Sequence, residues 1–380
     1  MCPENLVRDE IPVWDRSGPH ECRFLTIDRR LPARKRITMI SADPLAPPAA
    51  SPILEAAWAF AITRTLTTAV EVDLFTSIAR GHTTVEDLAK DTSCSVRGLS
   101  MVLHALTALK YLEVKAGAYS LAPVSAVFLT RTSPHDIGAY LMHNTSESWF
   151  PWAQLSEVVR RGEPARESVH GNHPNAEFFS QLVQSLHTLS AAAAAVGAGA
   201  LEVCSAARPR MVLDVGAGSA VWSLALARQD QETRVTVIDL PEIVDTVTRQ
   251  FVDREGASHQ FTFSPGDFRK IDFGASCFDI VILGHICHGE GAERTQDLIE
   301  RAFRALRSQG QILIAEFVPD DDRHGPLIPL LFALHMLLLT DHGDAFTLLE
   351  YKKWLMNAGF VDVRTVAAPA PSPLILATKP

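Results

Sequence analysis

The sequence predicts an α/β protein: a doubly wound, mostly parallel sheet in the C-terminal half, preceded by an all-helical domain. Three observations carry that assignment. Beyond residue 206, apolar strands near 211–215, 235–239, 279–283 and 311–317 alternate with helical stretches near 219–229, 241–254 and 292–307, the pattern of βαβ units. Between 51 and 205, apolar residues recur at three- and four-residue spacing. The chain has 380 residues, 47% of them hydrophobic, enough for two or three packed domains.

Composition narrows the partners. A formal charge of −9 offers no attraction to a polyanion, and Lys and Arg nowhere cluster densely, so no nucleic acid is expected and small molecules are. Cys2, Cys22, Cys94, Cys204, Cys277 and Cys287 are scattered, without a C-x-x-C pair. Neither structural zinc nor a secreted disulfide framework fits, and a reducing cytoplasm does. No apolar run reaches the roughly 20 residues that span a bilayer, so no membrane is expected.

Along the chain, residues 1–48 mix acids with bases and end in "DPLAPPAA". Neither a transit peptide nor a signal peptide has that composition. A loosely ordered extension is expected, with Met39 an alternative start and an arm against a partner subunit the rival reading. A domain over 49–130 follows. "ILEAAWAFAITRTLTTAVEVDLFTSIA" has helical periodicity, Thr84 before Val85-Glu86-Asp87 is an N-cap, and "YLEVKAGAYSLAP" alternates about a glycine turn as a small hairpin does. Helix, helix, helix, hairpin is winged-helix order. The third helix, 95–109, offers Arg97 and His104 among Val96, Leu99, Met101, Leu103 and Leu106, too few groups to read DNA, so subunit pairing is the expected role. Residues 131–205 form a helical connector or substrate lid. Its Trp149, Phe150, Trp152, Phe178 and Phe179 are candidates to line a pocket for a flat molecule, with helix core the alternative.

The sheet domain, 206–380, opens with "MVLDVGAGSAVWSLALA". Gly216 and Gly218 followed by Val221 depart from the dinucleotide fingerprint. Asp214 stands two residues before the turn, where a carboxylate would repel a pyrophosphate and suits a cationic cofactor. S-adenosylmethionine carries an ammonium and a sulfonium and no phosphate. Asp239 ends the next strand in "VIDLPEI", where an acid can accept from ribose hydroxyls. In "SPGDF", Asp267 and Phe268 are placed to accept from the adenine amino group and to cover the ring. Leu240, Gly266 and Gly284 complete the expected cofactor set.

With "LDVGAGSA", "VIDLPEIV", "GDF" and "FDIVILGHICHGEGAERTQDLIERAFRALRSQGQILIAEF", the chain resembles the caffeate/hydroxyindole type of S-adenosylmethionine-dependent O-methyltransferase, including its bacterial natural-product relatives. The resemblance covers residues 50–380. It implies a winged-helix dimerisation domain, a Rossmann-like methyltransferase domain, a homodimer, and methyl transfer to a hydroxyl of a secondary metabolite, phenolic by expectation. His288 falls on the family's general base, followed by Gly289 and Glu290 in place of the usual residues. A phenol titrates near pH 10, and an imidazole near 6.5 can take its proton as the C–O bond forms. Glu316 is implied as the acid orienting His288. Ala345 occupies the place of the second acid, with Asp344 and Glu350 nearby.

Trp149, Trp152, His285 and Met336 are candidate substrate contacts. His285, Cys287, His288, His335 and His342 are the residues that could hold a metal, but no carboxylate at obvious ligand spacing completes a facial triad, so none is expected. The alternatives to O-methylation are C- or N-methylation, or a non-methylating cyclase or isomerase that keeps the cofactor, a reading that Ala345 leaves open. The apolar stretch 326–339 is a pocket wall, a dimer-facing helix, or both.

Overall fold

The computed structural model describes residues 9–13, 23–27, 37–40, 50–146, 148–165, 176–201 and 209–380. The chain divides into two units, Met1–Ile62 and Thr63–Pro380. In the first, where the sequence suggested only a loosely ordered extension, β1 (Asp9–Val13), β2 (Arg23–Ile27) and β3 (Ile37–Ile40) pair as an antiparallel meander.

Helix α1 (Ser51–Glu71) leaves Ile53, Leu54, Trp58 and Phe60 exposed. The single helical period read over 53–79 breaks at Asp73, whose φ of 57° is left-handed, and α2 (Leu74–Ala79) begins there. Periodicity could not show this break, because the apolar spacing runs through it. Then come α3 (Val85–Asp91), capped by the Thr84 side chain as expected, and α4 (Val96–Ala108), capped by Ser95. The β4 (Leu112–Lys115) and β5 (Ala118–Leu121) hairpin turns through Ala116 and Gly117, both at positive φ. Leu99, Leu103 and Leu106 of α4 are buried against Leu74, Phe75 and Leu88, so one face of this helix is spent on packing, while Val96 and Met101 stay exposed. Helices α5 (Pro123–Phe128), α6 (Gly138–Ser146), α7 (Trp149–Ala153), α8 (Leu155–Arg161) and α9 (Ala176–Ala200) lead to the sheet.

That sheet has seven strands in the order β11-β12-β10-β9-β6-β7-β8. They are β6 (Met211–Val215), β7 (Arg234–Asp239), β8 (Phe261–Pro265), β9 (Phe278–Gly284), β10 (Leu306–Ala315), β11 (Val361–Val366) and β12 (Leu374–Thr378). Five are parallel, and the last two join antiparallel at the β10 edge. Strand order reverses between β6 and β9, and a crevice at their carboxyl ends is where such sheets hold ligands. β9 is buried over nearly its whole length, as a central parallel strand covered on both faces must be.

One face is covered by α9, α10 (Val221–Gln229) and the segment α11 (Pro241–Ile243), a π-helical turn at Val244–Thr248 and α12 (Arg249–Arg254). The other is covered by α13 (Cys287–Ala305) and α15 (Leu348–Ala358). Between β10 and α15 runs α14 (Leu327–Leu339), with Leu327 and Ile328 exposed and Met336 and Leu338 buried. No helix among the described residues is long and apolar enough to cross a membrane.

Candidate active site

The glycine turn after β6 is held at both ends of Gly218. Its N–H donates to Asp239 Oδ2 at 2.8 Å, and its carbonyl accepts from Thr248 Oγ1 at 2.7 Å. The π-helical turn is what delivers Thr248 to that position. Gly216 and Gly218 have φ of 66° and 52°, conformations that glycine adopts without strain. A Cβ on Gly216 would lie 2.5 Å from Ile286 Cγ2, whereas one on Gly218 would meet nothing within 4 Å. Gly218 therefore borders open space.

Asp239 also accepts from Leu240 N at 2.8 Å, so each oxygen takes one backbone N–H and keeps a lone pair for a ribose hydroxyl. Burial raises its pKa. Gly266, at φ 156°, has room for no Cβ, since Ile271 Cδ1 lies 2.7 Å from where it would be. Asp267 accepts from Arg269 N at 3.0 Å, and the Leu240 side chain is 41% exposed beside these strand ends. A Cβ on Gly284 would strike the Trp222 indole at 2.6 Å.

Asp214 sits differently from its expected place. It is 1% exposed and accepts a 2.5 Å hydrogen bond from Ser223 Oγ on α10, so it braces the turn from inside the sheet rather than presenting a bare carboxylate. Burial pushes its pKa up to about 7. From α9, His187 Nδ1 lies 3.0 Å from Ser219 Oγ in the same turn, its ring stacked on Phe251, with a pKa lowered to about 4 first by burial and then by Arg254 and Arg228.

The loop after β9 and the end of β10 meet beside this crevice. His288 Nδ1 donates to Glu316 Oε2 at 2.7 Å. Glu316 Oε1 accepts from Cys287 N at 2.8 Å and His288 N at 3.3 Å, so one carboxylate holds both the ring and the backbone of the loop. Burial alone would raise the Glu316 pKa; His288 and His285 outweigh it and hold the carboxyl below its ordinary value. With Nδ1 occupied, His288 keeps Nε2 without a protein partner among the described residues.

Ala345, in the place of the second acid, is 1% exposed. Asp344 and Glu350 do not substitute: both pair with Arg323 at 3.2 Å, and Glu350 closes the α15 capping box with Thr347. Glu290, 5% exposed, instead forms a two-pronged ion pair with Arg269, tying the loop after β8 to the start of α13.

Glu316, implied by the resemblance as the partner of His288, is brought to the histidines by a neighbouring strand. Ligand atoms of His285, His288 and Glu316 lie within 4.8 Å of one another. The His288–Glu316 separation of 2.7 Å is nevertheless that of a hydrogen bond, shorter than the ~3.3 Å between two ligands on one tetrahedral ion.

Around His288 stands an aromatic wall. Phe332 of α14 meets its ring edge-on at 4.9 Å, Phe317 stacks on Phe332 at 3.9 Å, and His285 lies 5.5 Å from Phe317. Trp152 Nε1 donates to His335 Nδ1 at 3.2 Å. Of the candidate substrate contacts, Trp152 and His285 are thus placed at this wall, Met336 is buried one turn from the end of α14, and Trp149 opens α7, the helix that carries Trp152. The side chains of Phe178 and Phe179 lie outside the described residues. Sequence reasoning missed Trp222, Ser223, Thr248, Phe317 and Phe332. Trp222 and Ser223 carried a signal in their closeness to the glycines, and Phe317 in following Glu316; Thr248 and Phe332 are distant in sequence from the glycines and from Glu316.

Residues 152–361 match the O-methyltransferase domain family and 54–131 the O-methyltransferase dimerisation domain. Similar proteins include the tetracenomycin polyketide synthesis 8-O-methyl transferase TcmO of Streptomyces glaucescens, 31% identical over 86% of this chain and 96% of that one. Another is the 3-hydroxy-5-methyl-1-naphthoate 3-O-methyltransferase of Streptomyces sahachiroi, 30% identical over 81% of this chain and 89% of that one. Among solved structures, human N-acetylserotonin methyltransferase in complex with S-adenosylmethionine superposes with a TM-score of 0.76 at 25% identity, covering 89% of this chain and 99% of that one.

Proposed function

The chain belongs to the S-adenosylmethionine-dependent O-methyltransferase family, and on that premise we propose that it methylates a phenolic hydroxyl of an aromatic natural product, with His288 as general base and Glu316 as its positioning partner. The observation that carries this reading is the 2.7 Å His288–Glu316 hydrogen bond, which fixes the proton on Nδ1 and leaves Nε2 as the acceptor. The acceptors named for the two Streptomyces relatives, a polyketide and a naphthoate, support an aromatic substrate, as do Phe317 and Phe332 beside the base.

When bound, S-adenosylmethionine supplies a methyl group activated by its sulfonium. The residues at the strand ends fit it: Asp239 would hold the ribose, Gly218 would allow close backbone approach, and Asp267 with Phe268 would hold the adenine, while Asp214 and Ser223 brace the turn. His288 Nε2 takes the phenolic proton as the new C–O bond forms, and buried Glu316 stabilises the resulting imidazolium. Holding base and acceptor in line is the enzyme's remaining task.

Incubation with labelled S-adenosylmethionine and a panel of phenolic polyketides tests this: a mass gain of one methylene unit is expected. An unchanged product mass would favour the non-methylating reading, and retention of full rate in His288→Ala would favour carbon or nitrogen as acceptor. We read the assembly as a homodimer, supported by the dimerisation-domain match and by the exposed Ile53, Leu54, Trp58 and Phe60 on α1.

A further inference from the structure

We infer that His335 is a fixed hydrogen-bond donor of the acceptor pocket, reading a carbonyl oxygen on the substrate; this rests on the methyl-transfer reading above. The argument starts from Trp152. An indole N–H can only donate, so at 3.2 Å the Nδ1 of His335 must accept, and an imidazole that accepts at Nδ1 is neutral with its proton on Nε2. The bond also joins α7 to α14 across 183 residues of sequence, which pins the ring in place. Its plane lies 16° from that of Trp152, and its centroid is 6.0 Å from Phe332, the ring that meets His288 edge-on.

His335 Nε2–H has no protein partner among the described residues. Burial, with His143 and His288, lowers the His335 pKa to about 4, so the same tautomer persists at neutral pH. Phe332 thus stands between two imidazoles of opposite character: His288 presents a bare nitrogen, and His335 presents an N–H. A substrate lying on this wall with its hydroxyl at His288 is matched when it carries a second oxygen, as a ketone or quinone does, for His335. A phenol lacking that oxygen leaves the donor of this half-buried ring without a partner under the substrate, at a cost in affinity.

Calorimetry on protein saturated with S-adenosylhomocysteine tests this without requiring turnover, using 1-hydroxyanthraquinone and 1-hydroxyanthracene as probes. His335→Phe is expected to weaken the quinone about tenfold, the weight of one hydrogen bond, and to change the carbonyl-free probe less than twofold. His335→Gln, whose amide can accept from Trp152 and donate onward, restores most of the loss. Nitrogen shifts of labelled histidine should show His335 protonated on Nε2 alone in wild type and lose that pattern in Trp152→Phe. Equal weakening of both probes, failure of the quinone to bind, or a proton found on Nδ1 would each overturn the inference. Absence of methyl transfer with quinone discrimination intact would overturn the methyl-transfer reading instead.

Discussion

At the scale of single residues, two histidines with opposite duties govern the expected behaviour. His288→Ala should lower kcat by about 10²–10⁴, the usual contribution of a positioned base, while S-adenosylhomocysteine binding by calorimetry stays within a few-fold of wild type. His187 acts on stability. Its folded pKa of about 4 lies below the ordinary 6.5, so the unfolded chain takes a proton that the fold refuses. The native state has its full stability above pH 6.5 and loses it as pH falls toward 4, by up to about 3 kcal/mol. Asp214, with its pKa raised to about 7, acts in the opposite direction over the same range, so the His187 share is read as a difference: in urea unfolding at pH 7 and pH 5, the change toward acid should be less favourable in wild type than in His187→Phe. Asp239 and the glycines could be nominated from local motifs, His288 and Glu316 only from the resemblance. Asp214 was legible as a position but not as a role, since only the fold reveals Ser223 capping its carboxylate.

At the scale of elements, the β8 and β9 loops are joined by Arg269 and Glu290. Removing one side of a buried ion pair leaves the other charge poorly compensated, and Arg269→Ala leaves Glu290 only its 3.9 Å pairing with Arg294, so a destabilisation of up to roughly 3 kcal/mol is expected in urea unfolding. Arg269 is half exposed, which places the expected loss at or below that figure. A substitution at Gly284 acts by volume. Gly284→Ala forces its methyl into the Trp222 indole, and a weaker grip on S-adenosylhomocysteine is the expected calorimetric result. The alternating strands and helices of the sheet, the Thr84 cap and the small hairpin could be read directly from spacing and turn chemistry. The left-handed break at Asp73 and the π-helical turn could not, because both are imposed by what the chain packs against.

At the scale of the whole molecule, the exposed apolar side chains of α1 should make the sedimentation coefficient that of a pair, falling toward a single chain's in Trp58→Glu with Phe60→Glu. Such a change should be insensitive to salt, in contrast to any association driven by charge. A doubly wound, mostly parallel sheet was implied by the alternation, whereas its strand order and the lie of α7 and α14 about the base were not, because both rest on contacts between segments far apart in the chain. The short stretch 285–291 also has a consequence for redesign. Within seven residues it presses Ile286 on the Gly216 turn, hands His288 to Glu316 and locks Glu290 to Arg269. Grafted alone into another scaffold it would arrive without its moorings, so a working chimera must carry positions 216, 269 and 316 along with it.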